Sequence, residues 1–171
     1  KEIVSIIVMS VRLTKEQKAY IAGFLDGDGC IMFQNVYRKD YMFGYQIRAS
    51  VGFYQKTKHR HHLDWLYTLF SVGYVRERND GMTEYTIVGL EPVMKVLAQL
   101  EPYLRLKKSH VQLARKIMEI LSPRYSRMTP EKLLKASRLV DQFTGINYSK
   151  KRTNTSAVVE QFLKEKKLLS P

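Results

Sequence analysis

Two aspartates close a stretch of the chain that is rich in small residues. Asp26 and Asp28 stand in the run Asp-Gly-Asp-Gly, where a helix that begins near Lys15 is expected to end. The carboxyl end of a helix is the negative end of its macrodipole, so carboxylates there lower stability unless positive charge lies nearby. A divalent cation would supply that charge, and carboxylate oxygens suit Mg²⁺. The alternative is that the four residues form a tight turn and nothing more.

The helix that precedes these aspartates carries small residues along one side. Ala19, Gly23 and Gly27 recur every four residues and therefore line one face, which Ala22 widens. Glycine inside a helix costs about 1 kcal/mol relative to alanine, so its presence needs a reason. Close approach of another backbone is the natural reason. The pattern therefore predicts tight packing on a second helix, such as that of a symmetry-related copy.

Sequence periodicity predicts the elements that position this segment. Thr14 and Gln17 form a capping-box pattern that starts the first helix. Period-2 alternation over 31–38 and 46–53 predicts one hairpin, and Asn79-Asp80-Gly81 predicts the turn of a second hairpin over 73–88. Further helices are expected over 62–70, 91–100, 108–121, from 129 onward and over 155–167. The order α-β-β-α-β-β-α, followed by more helix, predicts an α+β fold with a four-stranded antiparallel sheet and helices on one face.

That arrangement leaves the other face of the sheet uncovered. Its side chains would include the polar members of each alternation, namely Gln34, Arg38, Gln46, Arg48, Ser50, Arg76 and Arg78. Such side chains read base edges or hold phosphates, and a two-stranded ribbon fits the major groove of DNA. The competing interpretation is an ordinary solvated sheet face, which antiparallel sheets often have.

The composition favours a polyanionic partner. The chain of 171 residues has a net charge of +13, and residues 101–171 carry most of the basic excess. No apolar run approaches the roughly 18 residues that a membrane-spanning helix needs, so no membrane partner is expected. Cys30 is the only cysteine, which excludes an internal disulfide framework and a cysteine-based zinc site. A lone thiol suits the cytoplasm or a reducing organelle such as a chloroplast or mitochondrion.

The segment from Tyr20 to Gly29 resembles the LAGLIDADG motif of homing endonucleases. The letter-for-letter matches are Ala22, Gly23, Asp26, Asp28 and Gly29. Similarity extends to 55–57, 73–76 and 102–108, and the whole resembles the homodimeric, single-motif branch encoded in group I introns. Residues 14–171 are therefore expected to form one LAGLIDADG endonuclease domain whose sheet is a DNA-binding saddle. Residues 1–13 are expected to form an N-terminal arm whose role the sequence leaves open.

The resemblance implies a site-specific DNA endonuclease that makes a double-strand break in a long, near-palindromic site as a homodimer, the reaction of intron homing. The metal ligands would be Asp28 and the Gly27 carbonyl, with Mg²⁺ as the ion and Mn²⁺ able to substitute. Gln55 would position water, and Lys107 would neutralise charge on the scissile phosphate. The two chains would pair through the helix face formed by Ala19, Ala22, Gly23 and Gly27.

The resemblance also implies which residues face DNA. On the sheet they are Met32, Gln34, Val36, Arg38, Tyr41, Gln46, Arg48, Ser50, Arg76, Arg78, Glu84 and Thr86, and in a late loop they are Ser149, Lys150, Lys151 and Arg152. The family often has a basic residue shortly after the glutamine, and here His59 and Arg60 are both candidates for that place. Cys30, just after the motif, is expected to be a buried small residue rather than a nucleophile.

Other functions compete with this one. The main alternative is a non-cleaving nucleic-acid-binding protein of the same fold, such as an intron maturase or regulator, although the intact Asp28, Gln55 and Lys107 favour cleavage. A basic ribosome-associated protein is a weaker alternative. A histidine-based metal nuclease is disfavoured because His61 and His62 point apart on a helix and lack a neighbouring acid.

Overall fold

The computed structural model describes residues 13–122, 127–147 and 152–169 of the chain. Its helices are α1 (Lys15–Asp28), α2 (Arg60–Phe70), α3 (Leu90–Leu100), α4 (Lys108–Leu121), α5 (Pro130–Ile146) and α6 (Ser156–Glu165), and its strands are β1 (Gly29–Tyr37), β2 (Tyr45–Lys56), β3 (Tyr74–Glu77) and β4 (Met82–Val88). The expected order of helices and strands is confirmed. Residues 1–12, which make up nearly all of the expected N-terminal arm, lie outside the described residues.

Helix α1 starts at the cap that the sequence predicts. The Thr14 hydroxyl accepts from the Gln17 backbone N–H at 3.2 Å, and the Gln17 side chain accepts from the Thr14 N–H at 2.9 Å. This reciprocal pair satisfies two backbone donors that a helix start leaves unpaired. At the other end, α1 stops at Asp28 and β1 begins directly at Gly29. The end of α1 and the start of the sheet therefore occupy one place in the fold.

The four strands form one antiparallel sheet in the order β1-β2-β4-β3. The central strand β2 pairs with β1 from Gly29↔Phe53 to Tyr37↔Tyr45, and its second half pairs with β4. Odd-numbered side chains form the buried face, which includes Ile31, Phe33, Ile47, Ala49, Val51, Phe53, Tyr85 and Ile87. Even-numbered side chains of all four strands point to the opposite side of the sheet, which we call the open face.

Aromatic contacts fix the helices against the buried face of the sheet. Phe33 of β1 stacks on Phe143 of α5 with ring centroids 5.1 Å apart, and Phe24 of α1 lies 5.5 Å from Phe53 of β2. The remaining helices join the same apolar cluster. Because this core lies on one side of the sheet, the open face can meet a partner. Within the described residues, no helix is long and apolar enough to cross a membrane.

The start of β3 depends on a glycine at which any side chain would be strained. Gly73 has φ +89°, and a Cβ there would collide with the carbonyl oxygen of Thr86 on β4. We expect Gly73→Ala to lower the free energy of unfolding by about 1–3 kcal/mol, because both the backbone angle and the strand contact oppose it. Chemical denaturation measures this change.

Gly145 provides the matched control, since a Cβ there meets nothing within 4 Å. Gly145 lies in α5, so Gly145→Ala should leave stability unchanged or raise it by up to about 1 kcal/mol. Equal effects of the two substitutions would contradict the described strand contact.

Candidate functional site

The end of α1 is tied to the segment that leads into α4. The Asp26 carboxylate accepts hydrogen bonds from the backbone N–H groups of Arg105, at 2.6 Å, and Lys107, at 2.9 Å. In return, the Lys107 ammonium donates to the Asp26 backbone carbonyl at 2.6 Å. The sequence predicted that positive charge must balance the aspartates at this helix end, and for Asp26 the protein itself supplies it. The backbone N–H groups of Arg105 and Lys107, together with the Lys107 ammonium group, balance the negative charge at this helix end.

Asp28 differs from Asp26 although only one residue separates them. Its side chain is exposed, and no residue in the described part of the chain bonds to its carboxylate. The same helix end therefore holds one carboxylate committed to the fold and one available to a ligand. Oxygen donors of this kind, a carboxylate beside a backbone carbonyl at Gly27, match the preference of hard divalent cations.

Lys107 lies partly buried beside this pair of aspartates. Burial lowers the pKa of its ammonium group, and the negative charges of Asp26 and Asp28 partly oppose that shift. The ammonium is held at the carboxyl end of α1, where the helix dipole also favours a cation. A fixed positive charge next to an available carboxylate can neutralise a phosphate that approaches the same place.

Strand pairing brings Gln55 to the same end of the sheet. Gly29, which directly follows Asp28, pairs with Phe53 of β2, and Gln55 lies two residues further along that strand. Gln55 itself pairs with Thr83 of β4. The structure thus gathers Asp28, Gln55 and Lys107, which are far apart in the sequence, at one end of α1 and the sheet.

The two candidates for the basic position after Gln55 have different surroundings. Arg60 is held by two carboxylates, Asp64 at 3.3 Å and Glu77 at 2.7 Å, between α2 and β3. His59 is exposed, and its ring lies 6.3 Å from that of His61, measured between centroids. The commitment of Arg60 to structural ion pairs favours His59 as the residue available to the site.

The contacts between α1 and α2 support that choice. His62 lies 5.2 Å from Phe24, and Trp65 lies 6.0 Å from Tyr20, measured between ring centroids. His62 also contacts Tyr20, at 5.6 Å between ring centroids, so the start of α2 reaches from Tyr20 along α1 to Phe24. One turn before His62 comes His59, which accordingly lies toward the end of α1 that carries Asp28.

The open face carries a network of arginines and one buried acid. Glu84 of β4 is 7% exposed and accepts from Arg76 Nη2 at 2.7 Å, while Arg78 Nη1 lies 3.9 Å from its other oxygen. On β2, Arg48 donates to the Gln34 side chain of β1 at 3.3 Å. These side chains are held in fixed directions on the face that the sequence assigns to DNA. Such a charged, ordered surface suits phosphates and base edges.

Other residues expected to face DNA are placed as follows. Met32, Val36 and Gln46 project from the open face, on which Ser50 and Thr86 are largely covered. Arg38, paired with Asp40 at 3.0 Å, and the exposed Tyr41 lie in the connection between β1 and β2. Cys30, which the sequence led us to expect as a buried small residue, is instead half-buried and lies on this face. Sequence reasoning also left Gly52, Tyr54 and Tyr74 of the same face out of the set expected to face DNA. Strict alternation along each strand is the signal that would have found them.

The late basic loop is described only in part. Ser149, Lys150 and Lys151 lie outside the described residues. The Arg152 guanidinium donates to the backbone carbonyls of Phe33 and Val140, both at 2.9 Å. Arg152 thereby links the chain that precedes α6 to β1 and α5. Both hydrogen bonds come from its Nη1 atom, which is therefore bonded within the protein.

Three of the four small residues on α1 form an exposed strip. Ala19, Gly23 and Gly27 are exposed, and a Cβ built at either glycine meets nothing within 4 Å. Ala22, by contrast, is fully buried and faces the core of its own chain. The exposed strip consists of Ala19, Gly23 and Gly27, and its flatness suits close approach by a second helix.

An ordered arginine-bearing sheet face, with an available carboxylate, a lysine and a glutamine at one end, suits an enzyme that acts on nucleic acid. The LAGLIDADG endonuclease family matches residues 21–118. The chain is 37% identical to DNA endonuclease I-CreI of Chlamydomonas reinhardtii over 95% of its length and all of that protein. It is 36% identical to DNA endonuclease I-CvuI of Chlorella vulgaris over 86% of this chain and 89% of that one. The chain belongs to the LAGLIDADG endonuclease family.

A solved structure gives the same answer for the fold. The homing endonuclease I-CvuI in complex with its target, in the presence of Ca, superposes with a TM-score of 0.84 at 35% identity. The match covers 91% of this chain and 97% of that one. A second I-CvuI complex, with the I-CreI target and Mg, matches with a TM-score of 0.83, and its DNA is not cleaved. The four-stranded α+β fold expected from the sequence is therefore confirmed.

The separate duties of Asp26 and Asp28 can be tested by stability alone. Asp26→Ala leaves the backbone N–H groups of Arg105 and Lys107 without their acceptor, so the free energy of unfolding should fall by about 2 kcal/mol. Asp28→Ala removes a carboxylate from a helix carboxyl end and should change stability by less than about 0.5 kcal/mol, toward greater stability. Urea denaturation of both variants measures the difference, and equal losses would contradict the described hydrogen bonds.

Proposed function

We propose that two copies of this chain form a divalent-cation-dependent endonuclease that breaks both strands of a long, near-palindromic DNA site, as in intron homing. The observation that carries the proposal is the available Asp28 carboxylate at the end of α1, beside the Lys107 ammonium. The relatives I-CreI and I-CvuI are DNA endonucleases. The intact end of α1 favours cleavage over a role in binding alone.

The residues present fit a divalent cation. Asp28 offers a carboxylate that no described residue engages, and Gly27 offers an exposed backbone position next to it. Among the residues that the structure describes, no group of three or more histidine, cysteine or acidic side chains could hold a metal ion. One chain thus supplies part of a ligand set, which DNA phosphates and a second chain would complete.

Mg²⁺ is the proposed ion, with Mn²⁺ able to substitute, since both accept hard oxygen ligands. When bound, the ion would polarise the phosphodiester and make an attacking water more acidic. I-CvuI was crystallised with DNA in the presence of Ca and of Mg, which supports a divalent cation in this family.

The chain's own residues would complete the chemistry around that ion. Lys107, fixed by its bond to the Asp26 carbonyl, would lie beside the scissile phosphate and offset the negative charge that grows there. Gln55 would orient the attacking water through its amide, which can both donate and accept. His59 is the residue proposed for the basic position beside the site, because Arg60 is paired with Asp64 and Glu77.

The exposed strip of Ala19, Gly23 and Gly27 would join the two chains. Packing two such strips against each other would bring both copies of Asp28 to the centre of the assembly, one for each DNA strand. Each chain has a net charge of +13, so DNA affinity should decrease steeply as salt concentration rises.

Asp28→Asn is the direct test of catalysis. It removes the proposed ligand charge while keeping the side chain's shape, so cleavage of the cognate duplex in Mg²⁺ should fall at least about 100-fold. Binding to the same duplex in Ca²⁺ should persist, because the substitution removes a negative charge that would repel the DNA phosphates. Gel-based cleavage and binding assays measure the two effects.

Glu119→Gln on the exposed side of α4 is the charge-matched control and should leave cleavage unchanged. Cleavage by Asp28→Asn at the wild-type rate would overturn the assignment of the metal ligand. A wild-type chain that binds a specific duplex without cutting it in any divalent cation would favour the non-cleaving alternative.

Gly23→Leu tests the pairing of two chains. The substitution meets nothing within 4 Å at its Cβ in the single chain, so the fold should persist while the exposed strip loses its flatness. We expect sedimentation equilibrium to show a dimer for the wild type and for Gly145→Leu, and a monomer for Gly23→Leu. A Gly23→Leu dimer of wild-type affinity would place the interface elsewhere.

A further inference from the structure

A tyrosine lies across a glycine on the open face, between the catalytic end of the sheet and the arginine network. A Cβ built at Gly52 would lie 2.7 Å from the hydroxyl oxygen of Tyr54 and 3.0 Å from its Cζ. Such distances mean that the Tyr54 ring folds back over the Gly52 backbone. The phenol occupies the space that a side chain at position 52 would otherwise fill.

Cys30 holds that tyrosine in place. Its Sγ lies 3.2 Å from the Tyr54 hydroxyl, within hydrogen-bonding distance, and 3.1 Å from the Cβ built at Gly52. Cys30 also pairs directly with Gly52 across the β1–β2 ladder. The three residues therefore form one packed unit, which we call the tyrosine ridge: Cys30, Gly52 and Tyr54.

Strand pairing gives the tyrosine ridge its position. Cys30 comes two residues after Asp28, so one side of the ridge borders the catalytic end of the sheet. On its other side, Tyr54 pairs with Glu84, the acid that holds Arg76. The tyrosine ridge thus lies on the open face between the residues proposed for cleavage and the arginines held by Glu84.

We propose that the tyrosine ridge determines which base pairs are accepted next to the cleaved phosphates. This inference rests on the proposed function, because it requires DNA on the open face. The aromatic ring would restrict the shape of the neighbouring base pairs, and the hydroxyl can still accept or donate one bond beside its bond to Cys30. Tyr54 acts here as a specificity residue, and Cys30 acts as a positioning residue through it.

The thiol has a defined part in this arrangement. Cys30→Ser preserves a small partner for the Tyr54 hydroxyl, whereas Cys30→Ala removes it. If Cys30 orients Tyr54, the serine variant keeps the wild-type sequence preference and the alanine variant loses it in the same direction as Tyr54→Phe. A merely space-filling cysteine would make serine and alanine equivalent in this assay.

The experiment selects bound duplexes from a randomised library in Ca²⁺ and then measures cleavage of the selected pool in Mg²⁺. For Tyr54→Thr we expect base preference to change by about 5- to 150-fold, the range of one direct base contact, at one short block in each half-site. Preference at the base pairs that face Arg76 and Arg48 should stay unchanged. Tyr67→Thr, at an exposed tyrosine of α2, is the matched control and should give the wild-type preference at every position.

A double variant guards against loss of folding. Gly52→Ala alone places a methyl group against the Tyr54 hydroxyl and should impair binding, while Gly52→Ala with Tyr54→Thr relieves that contact and should recover the binding of Tyr54→Thr alone. A folded Tyr54→Thr dimer with the wild-type preference would overturn the inference and leave the proposed function intact. A wild-type chain that selects no sequence at all would overturn both.

Discussion

The exchange of hydrogen bonds between the end of α1 and the segment before α4 is the contact on which the site depends. Asp26 accepts two backbone N–H groups from residues 79 and 81 positions away in the chain, and Lys107 returns an ammonium bond to the Asp26 carbonyl. This exchange balances the negative end of the helix from within the protein. It also fixes Lys107 beside Asp28 and leaves the second carboxylate available. Which of the two aspartates faces the Leu104–Lys107 backbone thus decides which carboxylate is committed to the fold and which one is available to a ligand.

The sheet begins where α1 ends and extends from there as one continuous surface. Because β1 begins where α1 ends, the register of β1 against β2 places every open-face side chain at a set distance from Asp28. On the strands farthest from β1, Glu84 holds Arg76 in place. The tyrosine ridge lies on the open face between Arg76 and the end of the sheet beside Asp28. The residues proposed for cleavage and those proposed to face DNA therefore belong to one continuous sheet, which the helices on its buried face support. A second chain, joined through the exposed strip of α1, would extend the layer across a two-fold axis.

Local signals were enough to predict the elements and the face that each strand buries. The capping box at Thr14, the alternation along β2 and the Asn-Asp-Gly turn act within a few residues, so the sequence displays them directly. The role of Asp26 depends on the backbone of Arg105 and Lys107, about 80 residues away, and no local sequence pattern predicts such a contact. Ala22 was assigned to the exposed strip because helical spacing allows a range of directions, and only packing shows that it faces the core. Likewise, the sequence left His59 and Arg60 as equal candidates, and only the folded chain shows that Arg60 contacts the carboxylates of Asp64 and Glu77.

The position of the divalent cation in a complex with target DNA tests the account most directly. Crystals of the complex grown with Mn²⁺ would reveal the ion by its anomalous scattering. We predict a peak about 2.0–2.6 Å from an Asp28 carboxylate oxygen in each chain, with Asp26 still bonded to the Arg105 and Lys107 backbone. A peak coordinated by Asp26, with Asp28 remote from the ion, would contradict the account.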